Sequence, residues 1–134
     1  MTKFKQRQIR DEPPPDDATV VLRGNLLTEE ILTTTASENY EVYGFYGVSM
    51  WAEVGEATRD GLLATKLVRQ EVVAVFKAGD LRSAGLELRP TGASPHYDVV
   101  HTDVGQLVVK LIACPHKVID NEHYEQPEEV APDA

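Results

Sequence analysis

Apolar residues along the middle of the chain fall into short β-branched runs separated by longer helical stripes. Residues 18–23 (Ala-Thr-Val-Val-Leu-Arg) follow an acidic, proline-rich stretch and precede Gly24-Asn25, a pattern that predicts a first strand. Residues 45–52 and 71–76 are apolar at most consecutive positions, which predicts central strands covered on both faces. Three shorter strands are predicted at 86–89, 96–101 and 118–119.

Two helices carry clear boundary signals. The first is predicted to begin after Thr28, whose hydroxyl is suited to cap a helix, and to end at Gly44. The last is predicted to begin after Asp103 and to end before Pro115. Their apolar stripes are Leu32, Ala36, Tyr40 and Tyr43 in the first, and Val104, Leu107, Val108, Leu111 and Ile112 in the last.

Helical character also spans residues 56–68 and 80–84. Strands that alternate with helices, with a hairpin late in the chain, predict an α/β or α+β fold. We expect one compact domain with a mixed sheet of five or six strands, packed by three to four helices.

The two ends of the chain differ from its middle. Residues 1–18 change from basic to acidic and contain three consecutive prolines, so they are predicted to form a disordered tail. Residues 121–134 are acidic and are predicted to be frayed. The folded domain is therefore expected to span residues 19–120.

Charge and cysteine content limit the classes of partner and the cellular location that we expect. The chain of 134 residues has 13 Lys and Arg against 22 Asp and Glu, a net charge of −9, which disfavours nucleic acid and anionic lipid. No apolar run approaches the roughly 20 residues that span a bilayer, and no export signal precedes the first strand. We therefore expect a cytoplasmic protein without membrane contact, in which the single cysteine, Cys114, is a small buried hydrophobic residue.

Arg23 and Gly24 form the first candidate site. A guanidinium that leaves a strand beside a glycine is able to bind a phosphate or carboxylate with two hydrogen bonds, while the backbone approaches the ligand closely. The alternative is an ordinary solvated or ion-paired arginine.

Ser49 is the second candidate. Gly47-Val48-Ser49 resembles the start of a hydrolase nucleophile elbow, but Trp51 stands where that turn requires a second glycine. Ser49 is therefore expected on a strand face, where it either packs or lines a ligand pocket beside Trp51.

Arg89, His96 and Tyr97 form the third candidate. The loop 90–95 contains two prolines, so it is expected to hold His96 and Tyr97 rigidly as a base or a stacking surface above a small-molecule pocket. The alternative is a turn with a half-buried tyrosine. The histidines and Cys114 lack the two tight pairs typical of zinc sites, so no metal is predicted.

Short motifs suggest two resemblances. The chain resembles a family of small uncharacterised actinobacterial proteins over about residues 19–124. The motifs that carry this likeness are Leu22-Arg23-Gly24, Tyr46-Gly47-Val48-Ser49, and Arg89-Pro90-Thr91 followed by Pro95-His96-Tyr97. That likeness implies one compact domain in a bacterial cytosol and implies no mechanism.

The chain also resembles ADP-ribosyltransferases of the Arg–Ser–Glu type. In that family an early-strand arginine holds the NAD phosphate and a later serine shapes the nicotinamide pocket, which implies these roles for Arg23 and Ser49. Glu71 and Glu87 lie near strands, and Glu71 is the candidate for the catalytic glutamate, although neither has the family's Glu-x-Glu or Gln-x-Glu setting.

Two functional hypotheses follow. The first is a binding or regulatory module without its own catalytic residues or cofactor, whose charged tails capture an unknown protein partner. The second is a small NAD-dependent transferase that uses Arg23, Ser49 and Glu71. The oligomeric state stays open.

Overall fold

The computed structural model describes residues 4–6, 9–10 and 12–126. Within them, a 3-10 turn at Gly24–Leu26 follows the first strand. The strands are β1 (Thr19–Arg23), β2 (Tyr46–Ala52), β3 (Val72–Lys77), β4 (Glu87–Arg89), β5 (His96–His101) and β6 (Lys117–Asp120), and the helices are α1 (Glu29–Tyr43), α2 (Arg59–Ala64), α3 (Ala78–Ser83) and α4 (Val104–Ala113).

The strands form one six-stranded sheet in the order β4-β5-β2-β1-β3-β6. Together with the four helices, this confirms the predicted compact α+β fold. Every strand pair is antiparallel. The prediction of a mixed sheet is therefore wrong. Sequence spacing does not distinguish a helix that crosses between parallel strands from one that joins antiparallel neighbours, as α1 does.

The predicted helix boundaries are confirmed by capping contacts. The Thr28 hydroxyl accepts a hydrogen bond of 3.2 Å from the Ile31 amide, and Gly44 ends α1 with a φ of 82°. Asp103 Oδ1 accepts from the Gln106 amide at 2.9 Å and caps α4 in the same way. These boundaries were predictable because a cap is a contact between residues three positions apart.

Apolar residues are buried on both faces of the central strands. The larger core lies under α1, α3 and α4 and includes Val20, Leu22 and Met50. The smaller core lies under α2, where Val21 and Val73 are buried with side chains of that helix and of the turn after it. Because the sheet is covered on both faces and both strands lie inside it, the prediction that 45–52 and 71–76 contribute central strands is confirmed.

Described residues of the N-terminal segment contact the domain. The Phe4 ring meets the Tyr40 ring edge-to-face at 5.8 Å, and the Lys5 amide donates to the Val42 carbonyl at 2.7 Å. Further along, the Tyr97 hydroxyl donates to the Glu12 carbonyl at 3.0 Å. The predicted boundary at residue 18 coincides with the start of β1, and the described part of the predicted tail lies along the domain.

The first residues of the predicted C-terminal tail also fold back. Asn121 is buried, and its Nδ2 donates to the carbonyls of Leu63 and Leu67 at 3.0 and 2.9 Å. The Glu125 amide then donates to the Val68 carbonyl at 2.9 Å. Most of the predicted tail, residues 127–134, lies outside the described residues.

None of the helices in the described part of the chain has the length and apolar character that a bilayer crossing requires.

Candidate functional site

A gap between β1 and β2 brings the first two candidates together. Among the described residues, the two strands pair through Val20–Ala52 and Val21–Trp51 only. A continued ladder would place Arg23 opposite Ser49. Both side chains instead line one cavity of about 250 Å³, which we call the Arg23 cavity.

Helix α1 supplies the remaining wall of the Arg23 cavity. Residues spaced by three and four positions lie on one stripe of a helix, so a single face of α1 meets the gap. The contributing residues are Thr35, Glu38, Asn39 and Val42.

Gly47 sets the close approach of α1 to β2. A Cβ atom at this position would lie 3.1 Å from Asn39 Nδ2 and 3.0 Å from Phe45 Cε2. With no side chain there, Asn39 Nδ2 reaches the Phe45 carbonyl and donates a hydrogen bond of 2.9 Å. Asn39 is thereby fixed at the rim of the Arg23 cavity.

The charge of Arg23 is only partly compensated by the protein. Its Nε is buried and has no hydrogen-bond partner among the described residues. Within the same part of the chain, no carboxylate lies within 4.0 Å of its guanidinium. Because a buried donor without an acceptor is costly, the described residues leave this guanidinium incompletely satisfied.

Glu38 shares the Arg23 cavity and is exposed to solvent. The cavity therefore presents one cation and one anion that do not form an ion pair with each other. Ser49, half-buried on β2, adds a hydroxyl that both donates and accepts hydrogen bonds.

Gly24 and Glu71 take other positions. A Cβ atom on Gly24 would lie 2.8 Å from both Cγ2 and the carbonyl oxygen of Val72, so the close approach at Gly24 is to β3. Glu71 is exposed just before β3 and is absent from the lining of the Arg23 cavity, and its carbonyl accepts from the Asn121 amide. Glu38 is the carboxylate that the fold brings to Arg23 and Ser49.

Trp51 and His96 form a separate pair. Their positions are in register on β2 and β5, and their rings meet edge-to-face with centroids 5.5 Å apart. His96 Nδ1 lies 2.9 Å from the Thr91 carbonyl, which makes that nitrogen the donor in the contact. Trp51 packs against the smaller core and does not line the Arg23 cavity.

Arg89 and Tyr97 do not join His96 in one pocket. Successive strand residues point to opposite faces, and Tyr97 is buried in the larger core, where burial raises the pKa of its hydroxyl. Arg89 donates to Glu87 at 2.7 Å and lies 4.9 Å from the centre of the Phe45 ring. The predicted pocket under the loop 90–95 is therefore not formed by these three residues together.

Asp98 is a buried polar residue that the sequence reasoning missed. It is in register with Ser49, and its Oδ2 accepts a hydrogen bond of 2.6 Å from the Thr91 hydroxyl. No local signal marks it, because its burial depends on the pairing of β5 between β2 and β4.

The described residues contain no group of three or more His, Cys, Asp or Glu side chains placed to hold a metal ion. Cys114 is buried, as predicted, and burial together with the nearby charge of Asp80 raises the pKa of its thiol. A protonated, buried thiol is a poor nucleophile, so Cys114 is a packing residue.

Comparisons with known families, with curated proteins and with solved structures found no match. The function is therefore inferred from the geometry of the cavities.

Arg23 and Ser49 were candidates from the sequence, whereas the residues of α1 that line the same cavity were not. The signal that marks this wall is a stripe at 35, 38, 39 and 42, which neighbours the buried stripe of Leu32 and Ala36 on the same helix. Residues on a helix stripe that neighbours a buried stripe lie at the border of the core, and polar side chains at this border are able to line a cavity.

Proposed function

We propose that this protein is a small cytoplasmic module that binds a dipolar small molecule in the Arg23 cavity. The observation that carries the proposal is that Arg23, Ser49 and Glu38 line one concavity, although they come from three different elements.

The charges of the Arg23 cavity define the ligand class. Arg23 favours a carboxylate or phosphate, and Glu38 favours a cation or a hydrogen-bond donor. A purely anionic ligand would gain from Arg23 but would be repelled by Glu38. A molecule that carries both charges satisfies both side chains.

The size of the cavity limits the ligand further. About 250 Å³ lies below the roughly 300–1,000 Å³ of pockets that enclose drug-sized ligands. The site is suited to a single ring or an amino-acid-sized molecule, or to one end of a larger ligand.

A second candidate function is an NAD-dependent transferase similar to the Arg–Ser–Glu enzymes. The convergence of Arg23 and Ser49 with a carboxylate favours it, and the oxidised nicotinamide of NAD is itself a cationic ring, joined through a ribose to phosphates. Glu38 replaces Glu71 as the candidate catalytic group in this hypothesis. Its position on α1, outside any Glu-x-Glu or Gln-x-Glu sequence, favours binding over catalysis.

N-Methylnicotinate tests the binding proposal, because it carries a pyridinium cation and a carboxylate on one ring. Benzoate supplies the carboxylate alone. We expect calorimetry to show tighter binding of N-methylnicotinate than of benzoate to the full chain. Arg23→Ala should reduce the affinity for both ligands by about tenfold or more, since a hydrogen bond to a charged group contributes about 1.5–3 kcal/mol.

Glu38→Gln should weaken the binding of N-methylnicotinate, which loses an attraction, and strengthen the binding of benzoate, which loses a repulsion, so the preference for N-methylnicotinate should disappear. Lys66→Ala, an exposed lysine outside the Arg23 cavity, is the matched control and should change neither affinity. The proposal is contradicted if N-methylnicotinate does not bind at millimolar concentration or if Arg23→Ala binds it as tightly as the original chain.

Nicotinamide release from NAD distinguishes the two functions. A transferase should release nicotinamide, and Arg23→Ala and Glu38→Gln should lose that activity while Glu71→Gln keeps it. Binding of N-methylnicotinate without any nicotinamide release would support the binding module and reject the transferase.

A further inference from the structure

A second cavity lies at the opposite end of β1. It has a volume of about 370 Å³, and we call it the Lys77 cavity. Its basic side chains come from three elements: Arg59 from α2, Lys77 from β3 and Lys117 from β6.

Strand register places these lysines on one face of the sheet. Thr19 is directly opposite Lys77, and Val75 is directly opposite Lys117. Side chains at directly opposed positions share a face, and Val75 and Lys77 share one because they are two residues apart. Lys77 and Lys117 are therefore diagonal neighbours, a relation in which side chains lie roughly 7–8 Å apart.

The charge of the Lys77 cavity is opposite to that of the whole chain. The chain has a net charge of −9, yet Asp80 is the sole acidic residue lining this cavity in the described part of the chain. No carboxylate of the described residues lies within 4.0 Å of the charged groups of Arg59, Lys77 or Lys117.

Unpaired cations that converge on one concavity repel each other, and a bound anion relieves that repulsion. The nearest polar partners of Lys77 Nζ are the Thr19 hydroxyl and the Asp17 carbonyl, both at 3.5 Å. These neutral oxygens orient the ammonium but do not compensate its charge. A ligand that carries two negative charges fits this arrangement better than one that carries a single charge.

Apolar surface lies beside the cations. The His116 ring packs on Phe76 with centroids 4.9 Å apart, and His116 Nδ1 lies 2.7 Å from the Cys114 carbonyl. These two contacts fix the imidazole in the wall of the cavity, which Pro115 and Val75 also line. The wall therefore offers aromatic and apolar side chains against which a ring can pack.

We propose that the Lys77 cavity binds a phosphate monoester that carries a ring. The phosphate contacts Arg59, Lys77 and Lys117, and the ring lies against Pro115 and His116. This inference is independent of the Arg23 cavity, because the two cavities share no lining residue.

Phenyl phosphate and inorganic phosphate are the probes. Amide chemical shifts of the full chain, followed by NMR during titration, should move at residues 59, 77 and 117 with both probes. Phenyl phosphate should bind several-fold more tightly, because its ring adds apolar contact. Binding of both should weaken as salt is added, since the cations are exposed.

Lys77→Ala and Lys117→Ala should each reduce the affinity for both probes about threefold to tenfold. The double variant Lys77→Glu/Lys117→Glu should abolish binding. These side chains are exposed, so the variants should fold, and circular dichroism checks this. Lys66→Ala, which removes an equal charge outside the cavity, is the control and should bind as the original chain does.

Equal affinity of the original chain and Lys77→Glu/Lys117→Glu for phenyl phosphate would overturn the proposal. So would the absence of binding at millimolar concentration, or shifts confined to other residues. Equal affinity for phenyl phosphate and inorganic phosphate would overturn the part of the proposal that concerns the ring.

Discussion

The two ends of β1 carry different chemistry, although the strand is only five residues long. At one end, Arg23 shares a cavity with Glu38, so that cavity combines opposite charges. At the other end, Thr19 lies in a cavity where Arg59, Lys77 and Lys117 are not paired with carboxylates. The same strand therefore borders the cavity that we propose for a dipolar ligand and the cavity that we propose for an anion.

Between these ends, Val20, Val21 and Leu22 are fully buried. They pack alternately into the larger and the smaller core, so the middle of β1 holds both layers of the molecule together. The polar residues at the two strand ends therefore differ in chemistry, while the buried centre of the strand maintains the fold.

Truncation of a side chain at the centre of β1 should destabilise the protein most. Leu22→Ala removes a fully buried side chain and should reduce the free energy of unfolding by about 2–5 kcal/mol, measured by chemical denaturation. Val118→Ala is the control: Val118 is 56% exposed, and its variant should change stability little. A Leu22→Ala variant as stable as the control would contradict the central role of β1.

Gly24→Ala tests the backbone packing beside Arg23. The added Cβ would meet Val72 at 2.8 Å, including its carbonyl oxygen, so the 3-10 turn must shift. We expect a loss of about 1–3 kcal/mol in the free energy of unfolding. Asn25→Ala, at the exposed neighbouring position, should cost much less, and equal losses for the two would refute this explanation.

Thr28→Ala tests the helix that carries Glu38. Removal of the capping hydroxyl should cost about 1 kcal/mol of unfolding free energy. Thr34→Ala, at an exposed position within α1, is the matched control and should stabilise slightly, since alanine has the higher helix propensity. The cap has no role in stability if Thr28→Ala unfolds at the same denaturant concentration as the original chain.

The smallest expected effect concerns Cys114, which lies just before the Lys77 cavity wall at Pro115. Burial and the charge of Asp80 raise the pKa of its thiol above the value in the unfolded chain. The folded state therefore holds this proton more tightly, and the resulting stability is fully present below the unfolded pKa. It is lost as the pH rises through the folded pKa.

The measurement compares the original chain with Cys114→Ala between about pH 8 and about pH 10. The stability difference between them should decrease across this range, because only the original chain carries the thiol. A constant difference would show that the thiol pKa is the same in the folded and unfolded states.

Local signals made most of the fold predictable. Caps at Thr28 and Asp103 and the left-handed residue Gly44 fix three helix ends through contacts within a few positions. The helix predicted over 56–68 is shorter, because Thr58 caps it only at Arg59 and the chain turns after Ala64. Thr65 donates its hydroxyl to the Gly61 carbonyl, a local contact that competes with continued helix.

Long-range geometry limited the prediction of the site. Arg23 and Ser49 became candidates because a strand end and a strand face are local features. Glu38 was missed because its place beside them depends on how α1 crosses the gap between β1 and β2. Glu71 was favoured for its position next to a strand, but strand adjacency in sequence does not determine which cavity a side chain reaches.

The most direct test of the central claim is an NMR titration of the full chain with N-methylnicotinate, in which the amide shifts identify the binding site. We predict shifts centred on Arg23, Glu38 and Ser49, and their loss in the Arg23→Ala variant. Shifts confined to residues 59, 77 and 117, or none at millimolar concentration, would contradict the claim that the opening between β1 and β2 is the site for a dipolar ligand.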